Sequence, residues 1–516
     1  MGFVSVFQDP VLLFLFSVAS CASIIVFTFS RRNQERPLPP GPWSLPYVGF
    51  RFGSYPWKKM QEITEKYGPV SKVMMGCTPL IIVGTYKEAI ELLEARSGIY
   101  VSRPRLEMSG SVISGGLRTL GLQYGERWIR FRKALHSQLD GQASRSYQPT
   151  QEKAARRVIL DILERPSNFE DALTTYAAAF ILKLTYGKAI SQTTYHDPEV
   201  VQVKICLKRF TAAARPGAFA LDRHPWLRYV PFWTSTGRLW HKEELSLFRS
   251  QVQKVRDSCG ERESCAVSHL LDKQKEFELS DDELAYLAGS LFGAGSDTTA
   301  AALSTLIFAA ACFPEKVAEV QEELDRVVGR NRLPTFSDQS ELPQVTAFYK
   351  ETFRWRPVSP AGFMHAGIKD DFYNGYKIPA GSWIVGNPWS IHRDPSVFPQ
   401  PDEFKPSRWL KHDEQSEKLV LRTDIRHFGY GFGRRRCAGQ IVADNSVYIN
   451  TANLLCAFNI RKKRATDGSE IPLNLSAFSD SGISRPLPYE VDFIPRLHNL
   501  KMIVEDMGTC RSGIIS

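Results

Sequence analysis

Apolar positions recur along this chain in three rhythms. From Val11 to Phe29 the run VLLFLFSVASCASIIVFTF is unbroken and uncharged. As a helix, about nineteen residues span roughly 28 Å, close to the thickness of a hydrocarbon core. From Val70 to Val83 apolar and polar residues alternate, which predicts an early pair of strands. Most of the remainder follows the helical period. The pattern predicts a helix-rich body with a small β part near the amino end. The most apolar helix lies between Glu278 and Pro314. Ser280 with Glu283 forms a capping box, Asp281 and Asp282 favour the positive end of the helix dipole, and Pro314 stops the helix. It is apolar on nearly every side, so it should be buried.

Three helical stretches carry polar groups that packing alone does not require. AGSDTT, Ala294 to Thr299, lies in the middle of the apolar helix. Gly295 costs about 1 kcal/mol against alanine. Asp297 needs a partner or water, and the Thr298 hydroxyl can bond back one turn. The stretch predicts a local distortion lined by an acid and a hydroxyl; by itself it reads equally well as a kink with satisfied polar groups. Glu351 and Arg354 stand one turn apart in QVTAFYKETFRWRPV, where Pro357 ends the helix. Downstream, FPQPDEFKPSRW offers Arg408, which could complete a Glu–Arg–Arg network ahead of Cys437. RWIRFRK places Trp128 and Arg132 on one helix face, a pairing that suits a carboxylate and is also common on an ordinary amphipathic helix.

Composition narrows the class. The chain has 516 residues, 43% of them hydrophobic, enough for a large core. Its nine cysteines are scattered, odd in number and without CxxC, so neither a disulfide framework nor a structural zinc site is indicated. A net charge of +10 fits a membrane surface or an acidic partner, and no nucleic-acid-binding module is present. Asp9 is the only charge before the first apolar run, while Arg31 and Arg32 follow it. That order reads as a retained anchor with the bulk of the chain cytosolic, rather than a cleaved signal peptide. RPLPPGP, Arg36 to Pro42, is a stiff extended spacer. The expected division is a lumenal end (1–10), an anchor (11–30), a basic and proline-rich linker (31–42) and a globular body (43–516).

FGYGFGRRRCAGQ, Phe428 to Gln440, concentrates glycine and arginine around one cysteine. A thiolate at neutral pH needs nearby donors or positive charge. Gly431, Gly433 and Gly439 allow a tight bend with backbone N–H groups turned toward a sulfur, and arginine binds carboxylates. A metal-bound thiolate beside a flat cofactor bearing carboxylates describes haem.

With these residues in order, the chain resembles a cytochrome P450 of the microsomal haem-thiolate monooxygenase type, most like fungal members of secondary metabolism. YGFGRRRCAG resembles the haem loop, AGSDTT the oxygen-activation motif, ETFR the Glu-x-x-Arg motif, FKPSRW the arginine segment before the loop, and the Trp128 helix the propionate-binding helix. The resemblance implies a mainly α fold with a small β part, the cytochrome P450 fold, behind an N-terminal transmembrane helix. It implies haem b with Cys437 as the iron ligand, and Arg435, Trp128, Arg132 and His365 holding propionates. Glu351, Arg354 and Arg408 would be a structural triad, and Asp297 with Thr298 would handle protons at bound oxygen. Phe292, Ala294, Ala361, Phe363 and the stretch from Ser479 to Gly482 are the implied substrate contacts. Tyr430 departs from the usual phenylalanine, and its hydroxyl needs a partner; Ala438 replaces a frequent proline.

The implied reaction inserts one atom of O2 into an apolar natural product of terpenoid, polyketide or indole type. Electrons would come from a separate NADPH–cytochrome P450 reductase, with cytochrome b5 as a further donor. Arg127, Arg130, Lys133, Arg434 and Arg436 could meet an acidic partner of that kind. The implied location is the endoplasmic reticulum membrane, single-pass, with the body facing the cytosol. Aromatics mixed with arginine from Arg215 to Trp240 suggest a second, shallow membrane contact. Two other readings stand beside this one. A haem-thiolate isomerase or dehydratase is disfavoured by the presence of Asp297 and Thr298, and a non-catalytic haem sensor would need neither a relay nor a donor face.

Overall fold

The computed structural model describes residues 36–44, 49–215, 217–258, 264–415 and 418–509. The expected lumenal end and anchor lie outside these residues. Arg36 to Pro42 runs extended along the body: Lys72 N–H donates to Pro40 O at 2.8 Å and Lys377 N–H to Pro37 O at 2.9 Å. The prolines therefore serve as an edge laid on the body rather than as a free-standing spacer.

Helix α1 (Pro56–Tyr67) precedes strands β1 (Val70–Met75) and β2 (Thr78–Val83). The helical mass follows as α2 (Glu126–Leu139), α3 (Gln148–Glu164), α4 (Phe169–Tyr186), α5 (Pro198–Ala213), α6 (Pro231–Asp257), α7 (Asp281–Cys312), α8 (Pro314–Val327) and α9 (Pro343–Trp355). Strands β3 (His365–Ala366) and β4 (Trp383–Gly386) come next, then α10 (Gln440–Ala457), which leads directly into β5 (Phe458–Lys462), and finally β6 (Val491–Pro495).

Helix α7 is the axis of the body. Both capping-box bonds form: Glu283 N–H donates to Ser280 Oγ at 3.2 Å, and Ser280 N–H to Glu283 Oε2 at 3.1 Å. The helix packs on α4, α6 and α10, and its apolar side chains are buried in two core clusters. Its successor α8 leaves at 103°, so the two make a sharp corner in the core. Among the described residues no single helix is long and apolar enough to cross a membrane.

The alternating run folds as expected into an antiparallel pair, with Val70 opposite Val83. The β part is not confined to the amino end, however. Strand β2 pairs in parallel with β4, about three hundred residues later, and β3 closes the sheet in the order β1-β2-β4-β3. Strands of two to four residues are too short to show a period, so the alternation rule had nothing to detect.

Glu351 and Arg354 on α9 are 0% exposed. Arg354 donates Nε to Glu351 Oε2 at 2.8 Å and Nη2 to Oε1 at 2.9 Å, a bidentate fork. Arg408 Nε reaches Oε1 at 3.3 Å, Trp409 Nε1 reaches Oε2 at 3.0 Å and Lys405 N–H reaches Oε1 at 2.8 Å. The two guanidiniums then tie down backbone: Arg354 holds His392 O and Pro401 O, and Arg408 holds Gln400 O. A buried carboxylate is tolerated here because five donors satisfy it. Glu351→Ala leaves Arg354 and Arg408 buried without their carboxylate. The expected cost is about 3–5 kcal/mol, read as a lower urea midpoint; an unchanged midpoint would show that the segment is held by other contacts.

Candidate active site

The cysteine loop hangs from that network. His392, whose carbonyl Arg354 holds, accepts the Phe428 N–H on Nε2 at 2.7 Å. Burial, with His427 and two arginines adding to it, keeps this imidazole well below its ordinary pKa, so it is neutral and free to accept. The loop is then closed by the Cys437 N–H donating to Tyr430 O at 2.9 Å. Gly431 and Gly433 take the left-handed turn at φ 78° and 50°. A Cβ on Gly433 would also lie 2.4 Å from the Ser97 Cβ, so no larger residue fits there. Gly439 differs: its φ is −89° and a Cβ would meet nothing, so the bend does not require it. Its backbone N–H, not its freedom, serves the sulfur.

Cys437 is exposed although many protein atoms surround it. Burial pushes its thiol up, Asp444 adds to the rise, and the Gly439 N–H and Arg132 act in the opposite sense. The Tyr430 hydroxyl has found its partner in Asp444, donating to Oδ1 at 2.8 Å. Asp444 stands on α10, and burial pushes its carboxyl up to about 6. The substitution of tyrosine for phenylalanine therefore comes with an acid on the helix that follows the loop.

The residues read as propionate contacts converge. Arg435 is buried, its guanidinium lies 4.1 Å over the Trp128 ring, and its Nε donates to Val101 O at 2.5 Å. Arg132 sits a turn after Trp128 on α2. His365 is buried on β3, with Nδ1 donating to Tyr100 O at 2.9 Å. Burial, then Arg103 and Arg435, holds His365 well below its ordinary value. Arg103 was not anticipated; it is buried, donates to Met364 O at 2.6 Å, and burial brings its guanidinium down to about 10. Burial and the neighbouring Arg103 and Arg132 bring Arg435 down to about 9. Arg435 Nη2 and Arg103 Nε are buried with no acceptor among the described residues. Cations with unanswered donors beside an accessible thiol fit a flat group that carries carboxylates and binds sulfur through a metal, as haem does.

On α7, Ala294 is exposed and Gly295, Asp297 and Thr298 are half-buried, while residues to either side are buried. Ala294 and Thr298 lie on one face, four apart. Thr298 Oγ1 donates to Ala294 O at 2.8 Å, the back-bond expected from the sequence, yet the helix runs unbroken from Asp281 to Cys312. The expected distortion does not interrupt it. Asp297 is ion-paired with Arg485, a partner the sequence reading missed.

Phe292 is corrected. It is 0% exposed and packs edge-on against Tyr186 at 5.9 Å, so it belongs to the core between α7 and α4. Two residues before Ala294, it projects from a different side of the helix. Ala361 is half-buried and Phe363 exposed, on the loop before β3. The segment from Ser479 to Gly482 meets that loop: Ser359 Oγ donates to Gly482 O at 2.9 Å, and Gly482 lies beside Thr211 on α5. The basic residues proposed for a partner are largely paired within the chain. Arg127 and Arg130 bind Glu283, Lys133 faces Glu276, and Arg436 binds Glu94. Arg434 stays exposed.

A family profile described as Cytochrome P450 matches residues 36–489. Cytochrome P450 monooxygenase 88 of Postia placenta is 42% identical over 92% of this chain and 94% of its own length. Cytochrome P450 monooxygenase 113 of the same fungus is 40% identical over 95% and 98%, and cytochrome P450 monooxygenase claR of Ampulloclitocybe clavipes is 35% identical over 93% and 89%. A helical body with a small sheet, a glycine-bent cysteine loop and guanidiniums awaiting carboxylates agree with these matches: the chain belongs to the cytochrome P450 family and is a monooxygenase of that family, whose cofactor is haem.

Proposed function

We propose that the chain inserts one oxygen atom from O2 into an apolar natural product of terpenoid, polyketide or indole type. Cys437 would hold the haem iron, and a membrane-bound NADPH reductase, with cytochrome b5 as a further donor, would supply electrons. The observation that carries the reading is the pairing of the Cys437 loop with buried guanidinium nitrogens that have no acceptor among the described residues.

Bound there, haem supplies oxygen activation, and a thiolate ligand favours O–O cleavage. The protein's part is position and protons. Gly439 N–H and Arg132 favour the anionic sulfur. Arg435, Arg103 and Arg132 would bind the carboxylates, and Trp128 backs the Arg435 guanidinium. His365, whose Nδ1 proton is held by Tyr100 O, would donate from Nε2 only once a neighbouring carboxylate charges its ring. Asp297, fixed by Arg485, and the Thr298 hydroxyl stand on the half-buried turn of α7, and they would pass protons toward the oxygen leaving as water. Ala294, Ala361, Phe363 and the 479–482 segment would line that side; the first three are apolar and the one charge of the segment, Asp480, is ion-paired with Arg215, which suits a substrate of low charge.

A membrane position is part of the proposal, with residues 11–30 as the anchor in the endoplasmic reticulum and the body in the cytosol. The 215–240 segment supports a second contact. Trp226, Tyr229 and Phe232 are 64%, 73% and 81% exposed, and Trp233 and Leu239 are also exposed. Phe219 and Trp240 instead pack on a small apolar cluster beneath. Exposed aromatics among arginines suit the headgroup layer, where apolar rings are dry and cations meet phosphates.

Three outcomes follow. Reduced, carbon monoxide-treated protein should show the red-shifted band of a thiolate-ligated haem, and Cys437→Ser should lose it; a histidine-type band in the wild type would end the reading. Thr298→Ala should keep that band while most NADPH consumed appears as peroxide or water rather than product; tightly coupled turnover would remove Thr298 from the relay. A chain lacking residues 1–36 should still float with phosphatidylcholine vesicles, and Phe232→Asp with Trp226→Asp should release it; flotation unaffected by the pair would place the second contact elsewhere.

A further inference from the structure

The indole of Trp389 is surrounded by three cations. Arg393 Cζ lies 3.4 Å from the ring centroid, Arg356 Cζ 5.4 Å and Lys58 Nζ 5.9 Å. All four residues line a recess of about 150 Å³, against roughly 10–15 Å³ for one water. The walls are the start of α1 at Trp57 and two loops, one through Pro357 and Pro360 and the other through Phe478 and Ser484.

The charges in this recess are not balanced. Asp402 is its only carboxylate; it is 85% exposed and bonds Arg393 Nε at 3.2 Å. Arg356 spends Nη1 and Nη2 on the carbonyls of Trp355 and Leu475, and its Nε is buried without an acceptor. Neither Arg356 nor Lys58 has a carboxylate within ion-pair distance among the described residues. Burial, reinforced by Arg393, brings the Arg356 guanidinium down to about 9. Like charges gathered on one ring repel, and the ring face offsets only part of that repulsion. The excess of two positive charges matches a phosphate monoester, which carries about −1.5 to −2 at pH 7.

We propose that this recess binds a phosphate dianion, inorganic or as a monoester, held by Lys58, Arg356 and Arg393, with the Trp389 ring backing the cations. The site is independent of the oxygenase reading. Its two loops are bonded to each other by Ser359 Oγ to Gly482 O at 2.9 Å and Ser484 N–H to Val358 O at 2.8 Å. An anion seated between them braces the same segments that carry Ala361 and Ser479. The shared chemistry is a phosphate dianion, which inorganic phosphate and a monoester lipid headgroup both carry.

The test uses the purified full chain in a neutral detergent, with thermal unfolding followed during two titrations: inorganic phosphate, and dihexanoyl phosphatidic acid. Sodium chloride at matched ionic strength is the control. Saturable stabilisation is expected in at least one titration. A response to inorganic phosphate identifies a free anion as sufficient, and a response to the lipid alone identifies a headgroup. Lys58→Ala, at an exposed position, should weaken the apparent affinity about tenfold or more, and Arg356→Gln should abolish the response. Should Arg356→Gln fail to fold, Lys58→Ala carries the test by itself. No stabilisation beyond sodium chloride, or an equal response in the wild type and in Lys58→Ala, overturns the proposal.

Discussion

A single buried carboxylate organises the cysteine side of this molecule. Glu351 has no water to solvate it, so it must be answered by protein donors, and the chain sends five of them from residues 354 to 409. The guanidiniums recruited for this purpose have donors left over, and those fasten the carbonyls of His392, Gln400 and Pro401. The result is a loop region, poor in regular structure, whose carbonyls are held by side chains in place of a backbone ladder. Through the neutral His392 ring this rigidity reaches the Phe428 N–H, and from there the turn that presents Cys437.

The opposite condition prevails a short way along the loop. Around the neutral His365 stand Arg435, Arg103 and Arg132, cations without an anion among the described residues, and two of their buried nitrogens have no acceptor there. Proteins seldom bury such groups unless something outside the chain completes them. Glu351 centres an ion-pair network that is satisfied within the chain; the cluster around Arg435 and Arg103 is not, and on the proposed reading the carboxylates of haem would complete it. The recess at Trp389 has the second character rather than the first.

On the other side, α7 makes the reverse compromise. Its capped, apolar length makes a wall across the body, and beyond the acidic first turn its one charged side chain is Asp297. There the Asp297 charge is met by Arg485 from the loop that follows Ser479, so the acid and one of the candidate substrate segments are coupled by one ion pair. The Tyr430–Asp444 pair couples the cysteine loop to α10 in a similar way. In both cases a local departure from apolar packing is answered by a residue far off in sequence.

By itself the sequence determined whatever depends on neighbours along the chain. The capped helix from Asp281, the β1–β2 pair, the Glu351–Arg354 turn and the glycine-bent cysteine loop all follow from spacing of three, four or two residues, where backbone periodicity places side chains without help. Only the tertiary structure decided the partners that come from elsewhere: Arg103 beside Arg435, His392 beneath Phe428, Asp444 for Tyr430, Arg485 for Asp297, and the parallel pairing of β2 with β4. It also decided that Phe292 faces the core and not the opening, since a helix position names a side but not what lies on that side. Charge and hydrogen bonding act through space over a few ångströms, and a one-dimensional pattern carries no record of which distant residues folding will bring within that range.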